Sequence, residues 1–453
     1  MAEKTKRSEA LRRIPSVEKI LSSAPAFAPI ERVGRETVKS TLVALLRELR
    51  GAGTSAERIT LEEITAELER RVEELCRPSL RRVINGSGIL IHTNLGRSPI
   101  DPTILDEAAE ILSGYSNLEM SLPSGERGSR DAHIASAAIP LFGCEAALLT
   151  NNNAAGTLLL LAAVASGKEV IVSRGELVEI GGSFRIPEVI QQGGARLREV
   201  GTTNRTRKED YASATSRKTA AILRVHRSNF EIVGFTERPL MAELVEVARA
   251  RRIPLLYDEG SGQVVDLAPY GFHRSDTIRA LLASGVDVIT CSTDKLIGAS
   301  QGGLILGRRD IIERCRRHPL MRALRAGKES YAVITATLRT FLARKHEERI
   351  PIYRMLSASM ESLQERGERM TSQLPLSLVE TSSALGGGTT PTESIASVGV
   401  EVDGDAASMS SALLRRDPAI IGRIRNDRLT LDLRTIDPAD DPLVMDAIRD
   451  LVT

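Results

Sequence analysis

The 453-residue chain has no tryptophan, and its 7 phenylalanines and 6 tyrosines amount to 3% aromatic content. Single-stranded nucleic acids are gripped largely by bases stacking on such rings. A nucleic-acid partner would therefore be recognised through shape and backbone charge. Cysteine is scarce as well. Cys76, Cys144, Cys291 and Cys315 lie far apart, form no CxxC pair and have no histidine at metal-ligand spacing. That argues against a disulfide framework and a structural zinc site; no metal is expected, and a reducing cytoplasm suits the chain. Neither charge dominates, with 61 Lys and Arg against 59 Asp and Glu, so a global basic field is excluded. Long apolar runs are missing too. The longest, Ala146 to Ala165, is broken by Thr150 and three asparagines, and the charged start MAEKTKRSEALRR leads into no apolar stretch. Neither a signal peptide nor a membrane span is expected.

What remains is the profile of a globular protein, 42% hydrophobic, with length for roughly three domains at ~150 residues each. Val38, Leu42, Leu45, Leu46 and Leu49 form one helical stripe. After the Gly51-Ala52-Gly53 break, Thr60 and Glu63 make a capping-box pattern ahead of a second stripe, Leu61, Ile64, Leu68, Val72 and Leu75. Residues 1–60 hold 12 Lys and Arg against 7 Asp and Glu, a net +5. These features predict an N-terminal helical module over residues 1–76, with Pro78 beyond its end.

Residues 77–320 alternate short apolar runs with amphipathic helices. Candidate strands are Ala146–Leu149, Val170–Val172, Ala220–Val225, Pro254–Tyr257, Val286–Thr290 and Leu304–Leu306, with helices such as Ala154–Ala165 and Met241–Arg251 between them. That order predicts an α/β large domain with a mostly parallel sheet and ligands at the carboxyl ends of its strands. Residues 321–453 are expected to hold a helical stretch, about 328–370 with an interruption at Pro351, then a small α+β domain. Gly386-Gly387-Gly388 reads as a loop.

Three segments at strand ends carry chemistry. Asn151-Asn152-Asn153-Ala154-Ala155-Gly156 has the small residues that let a helix N-terminus approach a phosphate, although an Asn-rich cap has the same letters. Tyr257-Asp258-Glu259-Gly260 ends an apolar strand in a carboxylate that could hold a protonated ring nitrogen, or serve as a turn aspartate. Asp294-Lys295-Leu296-Ile297-Gly298 sets a lysine among small and apolar residues, where desolvation favours a Schiff-base amine. In this order they describe pyridoxal 5'-phosphate: an anion cradle, a carboxylate for the pyridine nitrogen, and a lysine for the aldehyde. The order also resembles the aspartate-aminotransferase-like (fold type I) enzymes.

Longer words narrow the resemblance. INGSG (Ile84–Gly88), HTNLGR (His92–Arg97), RGSR (Arg127–Arg130), SRGELVEIGG (Ser173–Gly182), GTTNRT (Gly201–Thr206), VHRSNF (Val225–Phe230), DKLIG (Asp294–Gly298), HPLMRALRAGK (His318–Lys328) and RNDRLTLDLRTI (Arg425–Ile436) span nearly the whole chain. It is similar to the bacterial selenocysteine synthases, the L-seryl-tRNA(Sec) selenium transferases. Two details depart from the family pattern: Met120-Ser121 stands where an aromatic-acidic pair is usual, and no Gly-Pro pair precedes Gln301.

The resemblance implies conversion of seryl-tRNA(Sec) to selenocysteinyl-tRNA(Sec). The seryl hydroxyl is eliminated to an aminoacrylyl group, which takes selenium from selenophosphate. Lys295, Asp294, Arg97, Arg322 and Arg325 are then the expected catalytic residues. Lys295, Asp258, Asn152, Asn153, Ala154 and His226 group with the cofactor, while Arg130, Thr202, Thr203 and Asn229 match substrate-pocket positions. His92, His133 and His318 lie inside the same words without an assigned role, and one histidine or Arg174 would cover the ring. Between Arg308 and Lys328 the chain has seven Arg and one Lys against Asp310 and Glu313, a net +6. Arg97, Arg322 and Arg325 are expected together as the site of the anionic donor, the last two on one helical face. The module over residues 1–76 would dock the tRNA, and the assembly implied is a homo-oligomer, a ring-shaped decamer built as a pentamer of dimers. Two other readings fit less of the chain. A pyridoxal lyase or eliminase for a free amino acid would not need residues 1–75, and a non-catalytic tRNA-binding paralogue would not need Asp258, Lys295 and the arginines together.

Overall fold

The computed structural model describes residues 16–51, 60–181, 184–273, 275–390 and 392–452. The chain divides into two compact units, Met1–Arg82 and Val83–Thr453.

The first unit holds helices α1 (Val17–Leu21), α2 (Phe27–Val33), α3 (Arg35–Gly51) and α4 (Leu61–Cys76). The expected capping box is present: Glu63 N–H donates to Thr60 Oγ1 at 3.2 Å, and Thr60 N–H donates to Glu63 Oε2 at 2.7 Å. The two apolar stripes meet, burying Val38, Leu42, Leu45 and Leu46 with Ile64, Leu68 and Val72. Leu75 departs from its stripe and is exposed. It lies in the last turn of α4, beside a surface groove shared with Thr37, Thr41 and Ala44. Residues 52 and 53 of the Gly-Ala-Gly break fall outside the described residues.

The second unit opens with β1 (Val83–Asn85), β2 (Ile89–Ile91) and helices α5 (Pro102–Leu112) and α6 (Asp131–Phe142). Next come β3 (Ala146–Thr150), α7 (Asn153–Ala165), β4 (Glu169–Ser173), a small hairpin of β5 (Glu179–Ile180) and β6 (Phe184–Arg185), and α8 (Ile186–Gln192). Then follow β7 (Arg196–Val200), α9 (Lys208–Ala214), β8 (Thr219–Val225), α10 (Met241–Arg251), β9 (Leu255–Gly260), α11 (Ile278–Ser284), β10 (Val288–Ser292) and β11 (Gly303–Gly307). The main sheet has the order β3-β11-β10-β9-β8-β4-β7. β11 alone runs antiparallel to both its neighbours. All six candidate strands lie in this sheet, and β7 was missed. Its RLREV sequence is charged and largely exposed, as an edge strand allows. Central strands are buried on both faces and therefore read as continuous apolar runs. One face packs against α7, α8 and α12 (Arg309–Arg317), the other against α5, α6, α10, α11 and, beyond α13 (Leu320–Leu324), α14 (Lys328–Leu342).

Beyond α14, α15 (His346–Arg349), α16 (Pro351–Ser357) and α17 (Met360–Thr371) complete the helical stretch, with Pro351 in the first turn of α16. A second sheet follows from β12 (Leu376–Gly386), β13 (Ser394–Val402), β15 (Arg423–Arg425) and β16 (Arg428–Asp432), while β14 (Ala419–Ile421) pairs elsewhere. The sheet order is β15-β16-β13-β12-β2, and β1 pairs in parallel with β14. Residues 83–91, grouped by sequence with the large domain, are thus hydrogen-bonded to C-terminal strands. The INGSG word explains why. Buried Asp432 accepts from Ser383 Oγ at 3.0 Å and Ser397 Oγ at 2.6 Å, and Gly88 N–H donates to Thr435 Oγ1 at 3.1 Å. Gly88 has φ +74°, and a Cβ there would stand 2.5 Å from Asp432 Oδ2. Only glycine fits.

The first unit has its own apolar core, so Leu42→Ala should cost about 2–5 kcal/mol of its stability. Hydrogen exchange checks this: amides of α3 and α4 should exchange faster, with those of β8 to β10 unchanged.

Candidate active site

β9 and β10 lie side by side in parallel, with Asp258 opposite Thr290. Asp258 sits near the carboxyl end of β9 and is buried. Its Oδ1 accepts from Asn153 Nδ2 at 2.8 Å and from Thr290 Oγ1 at 3.2 Å, and Thr157 Oγ1 lies 3.0 Å from that same hydroxyl. Burial raises the carboxyl's pKa; the hydrogen bonds from Asn153 and Thr290 and the charge of Lys295 act against it. Asn153 is the first residue of α7, capped by Asn152, whose Oδ1 accepts from Ala155 N–H at 2.8 Å. Asn153 Oδ1 is buried without a partner. β11 runs close beneath: a Cβ on Gly303 would stand 2.2 Å from the Asn152 carbonyl oxygen.

Lys295 lies three residues beyond β10 in a loop closed on itself. Gly298 N–H donates to the Lys295 carbonyl at 2.9 Å, Ala299 N–H to that of Thr293 at 2.9 Å, and Ser98 Oγ to the Lys295 carbonyl at 2.5 Å. The lysine is 6% exposed. Burial pushes its pKa down, and the Arg97 charge adds to that effect. Loss of the proton leaves the neutral amine that Schiff-base chemistry needs. Arg97 pairs with Asp294 at 2.5 Å from a backbone with φ +66°. The other oxygen of Asp294 is buried and unpartnered. Asp258, Asn152, Asn153, Ala154, Lys295, Asp294 and Arg97 are therefore gathered at one end of the sheet. His226 joins them through its backbone, its N–H donating to the Asp258 carbonyl at 2.9 Å, while its Nε2 lies 3.0 Å from the Thr389 carbonyl oxygen.

The remaining candidates form two further groups. Arg325 abuts the end of β3, bridged to Thr150, and the Leu324 carbonyl accepts from Asn151 N–H at 2.9 Å. Arg322 stands exposed in α13, but Arg325 is extended at that helix's end. The expected common helical face is therefore not formed, because α13 is only five residues long and its chain turns into the pairing with β3. Arg130 contacts the same neighbourhood, donating to the Ala326 carbonyl at 2.9 Å. Thr202, Thr203 and Asn229 lie apart on exposed loops after β7 and β8. Thr202 Oγ1 donates to the Arg205 carbonyl at 3.0 Å, and Asn229 Nδ2 to that of Glu179 at 2.7 Å. Among the described residues no hydrogen bond or ion pair ties these three to Lys295 or Asp258.

Sequence reading missed Thr290 and Ser98. Thr290 was detectable as a polar residue inside an apolar strand; Ser98 carried no local signal. A cavity of about 520 Å³ is lined by Arg224, His226, Arg227, Arg238, Tyr257 and Glu259 but by neither Asp258 nor Lys295. Tyr257 and Glu259 alternate with Asp258 along β9 and so point to the other face of the sheet, while His226 and Leu296 bring the cavity up to the strand ends beside Asp258 and Lys295.

Residues 83–437 match the family described as L-seryl-tRNA selenium transferase, and residues 11–50 match that described as selenocysteine synthase N terminal. The chain belongs to the L-seryl-tRNA selenium transferase family. It is 43% identical to the L-seryl-tRNA(Sec) selenium transferase of Geobacter metallireducens, covering 97% of this chain and 98% of the relative. Against that of Carboxydothermus hydrogenoformans the identity is 40%, over 94% of each chain. Among solved structures, a D-glucosaminate-6-phosphate ammonia-lyase superposes with TM-score 0.60 at 23% identity, covering 84% of this chain and 97% of that one. That likeness places this selenium transferase family member in the aspartate-aminotransferase-like fold expected from its sequence.

Burial of Lys295 has a measurable sign. Its folded pKa lies below the ordinary 10.5, so the unfolded chain binds more protons in the window between the two values. Holding a proton there destabilises the fold, and the penalty fades as pH rises toward 10.5. Lys295→Met should therefore stabilise the cofactor-free protein at pH 7 and gain progressively less at higher pH. Urea unfolding across that range checks it.

Proposed function

We propose that the chain converts L-seryl-tRNA(Sec) to L-selenocysteinyl-tRNA(Sec) with pyridoxal 5'-phosphate, taking selenium from selenophosphate. The observation that carries this reading is family membership over nearly the whole chain. The buried lysine beyond the strand that neighbours Asp258 adds the chemistry.

The residues fit the cofactor. The backbone N–H groups of Asn153 and Ala154 find no acceptor among the described residues, and Ala154, Ala155 and Gly156 leave little side chain in that turn. These would hold the phosphate at the positive end of α7. Asp258, supported by Asn153 and Thr290, would hold the ring nitrogen, and the unpartnered Asn153 Oδ1 leaves an acceptor beside it. His226 would stand nearby. When bound, the cofactor supplies an electron sink for charge developing at the serine Cα.

Lys295, with its pKa lowered, accepts the Cα proton as a neutral amine and then donates it to the departing hydroxyl oxygen. Asp294, anchored by Arg97 through one oxygen, offers the other to the lysine once it is charged. Arg322 and Arg325 take the anionic donor, with guanidinium forks matched to its oxygens. Arg130, Thr202, Thr203 and Asn229 orient the substrate. The N-terminal module docks the tRNA by shape and phosphate contacts, given a net +5 over residues 1–60 and so few aromatic rings. Tyr115, Leu122, Val233 and Phe235 stand exposed in the second unit, apolar surface that other copies of the chain would cover. A homo-oligomer, the ring-shaped decamer implied by the family resemblance, is the proposed state, and the cytoplasm the proposed location.

Purified protein given seryl-tRNA(Sec) and selenophosphate should yield selenocysteinyl-tRNA(Sec). Lys295→Ala should lose both turnover and the visible absorbance of the bound cofactor. Turnover of free serine without any need for tRNA would overturn the reading. Removal of residues 1–82 should abolish tRNA binding while cofactor absorbance persists, and binding by the full chain should weaken steeply with salt.

A further inference from the structure

One carboxylate holds Arg325, an arginine proposed for the donor, together with its neighbours Arg130 and Arg127. Glu119 lies in the loop between α5 and α6, at the base of a tight turn where Gly128 N–H donates to the Glu119 carbonyl at 3.0 Å. Its Oε1 accepts from Arg130 through Nε at 3.0 Å and also through Nη2, and the same oxygen accepts from Arg325 Nη1 at 3.3 Å. Its other oxygen meets Arg127 Nη2 at 3.3 Å. Arg130 is 12% and Arg325 29% exposed at the side chain, so both forks are partly withdrawn from water. Arg322, nearby in sequence, is exposed and has no ion pair among the described residues.

A single oxygen between two guanidinium groups is the arrangement that an oxygen of a tetrahedral oxyanion adopts between two arginines. Three arginines converge on one carboxylate, leaving a local excess of two positive charges. The cluster is under-neutralised with Glu119 in place.

We propose that Glu119 is a built-in competitor that fills the oxyanion seat between Arg130 and Arg325, and that an anionic donor binds by displacing it. This rests on the reading that Arg325 serves the donor. The carboxylate keeps the two forks aligned while the seat is empty and sets the affinity of the incoming anion. Carboxylate and oxyanion exchange places without a covalent step.

Equilibrium dialysis of inorganic phosphate against the holoenzyme, at constant ionic strength, tests it. Glu119→Gln keeps the shape and removes the charge, so phosphate should bind about tenfold more tightly. KM for the selenium donor should fall in parallel. Glu119→Asp keeps the charge and should bind phosphate within about twofold of the parent. Loss of structure alone would weaken binding and could not tighten it. Unchanged or weaker phosphate binding by Glu119→Gln would overturn the proposal. Arg325→Ala tests the underlying reading separately: it should weaken phosphate binding about tenfold or more. If it does so while Glu119→Gln fails to tighten, the donor reading stands and the competitor role alone is wrong. If Arg325→Ala leaves phosphate unaffected, the donor reading fails and the seat proposed here fails with it.

Discussion

The parallel pairing of β9 with β10, register Asp258 opposite Thr290, is the contact on which the site depends. A carboxylate buried at a strand end needs donors, since a buried polar group left unpaired costs about 1–3 kcal/mol. Thr290 supplies one from the adjacent strand, and Asn153 supplies the other from the first residue of α7. The strand that carries the acid, the strand that leads to Lys295 and the helix that offers free N–H groups are thereby tied together. A shift of one residue in β10 would turn Thr290 to the opposite face and move Lys295 with it. Hydrophobic burial on both faces holds that register, because every residue of β10 lies in the core.

A second constraint comes from the far end of the chain. Asp432 and Thr435 clamp the turn at Gly88, and β2 adds to the C-terminal sheet beside β12. Arg97 follows six residues after β2, in a left-handed backbone conformation, and reaches Asp294. The small C-terminal sheet therefore fixes where the loop carrying Arg97 leaves the fold. Ser98 closes the loop over Lys295 by bonding the carbonyls of Asp294 and Lys295. Residues separated by about two hundred positions share one wall.

Strong local signals were legible because they act within a few residues. Continuous apolar runs marked six strands of the main sheet, and the Thr60–Glu63 capping box marked the start of α4. The order of asparagine cluster, Asp258 and Lys295 was readable because each sits at a strand's carboxyl end, a position that connectivity alone reveals. β7 was hidden because an edge strand tolerates charge, and its burial pattern resembles a surface segment. The shared face of Arg322 and Arg325 was misread because helix length is decided by what a segment packs against, and α13 stops at its bridge to β3.

By itself the amino-acid order determined the fold class, the cofactor chemistry and the family. Each rests on local periodicity or on long runs of residues that no other arrangement reproduces. Tertiary structure alone decided which charges meet. Glu119 meets Arg325 across 206 positions, Asp294 meets Arg97 across 197, and strands at residues 83–91 complete sheets built from residues 376–432. Such partners are chosen by the closure of long loops and by the burial of unpaired polar groups. Both are properties of the packed chain, and no short window of sequence carries them.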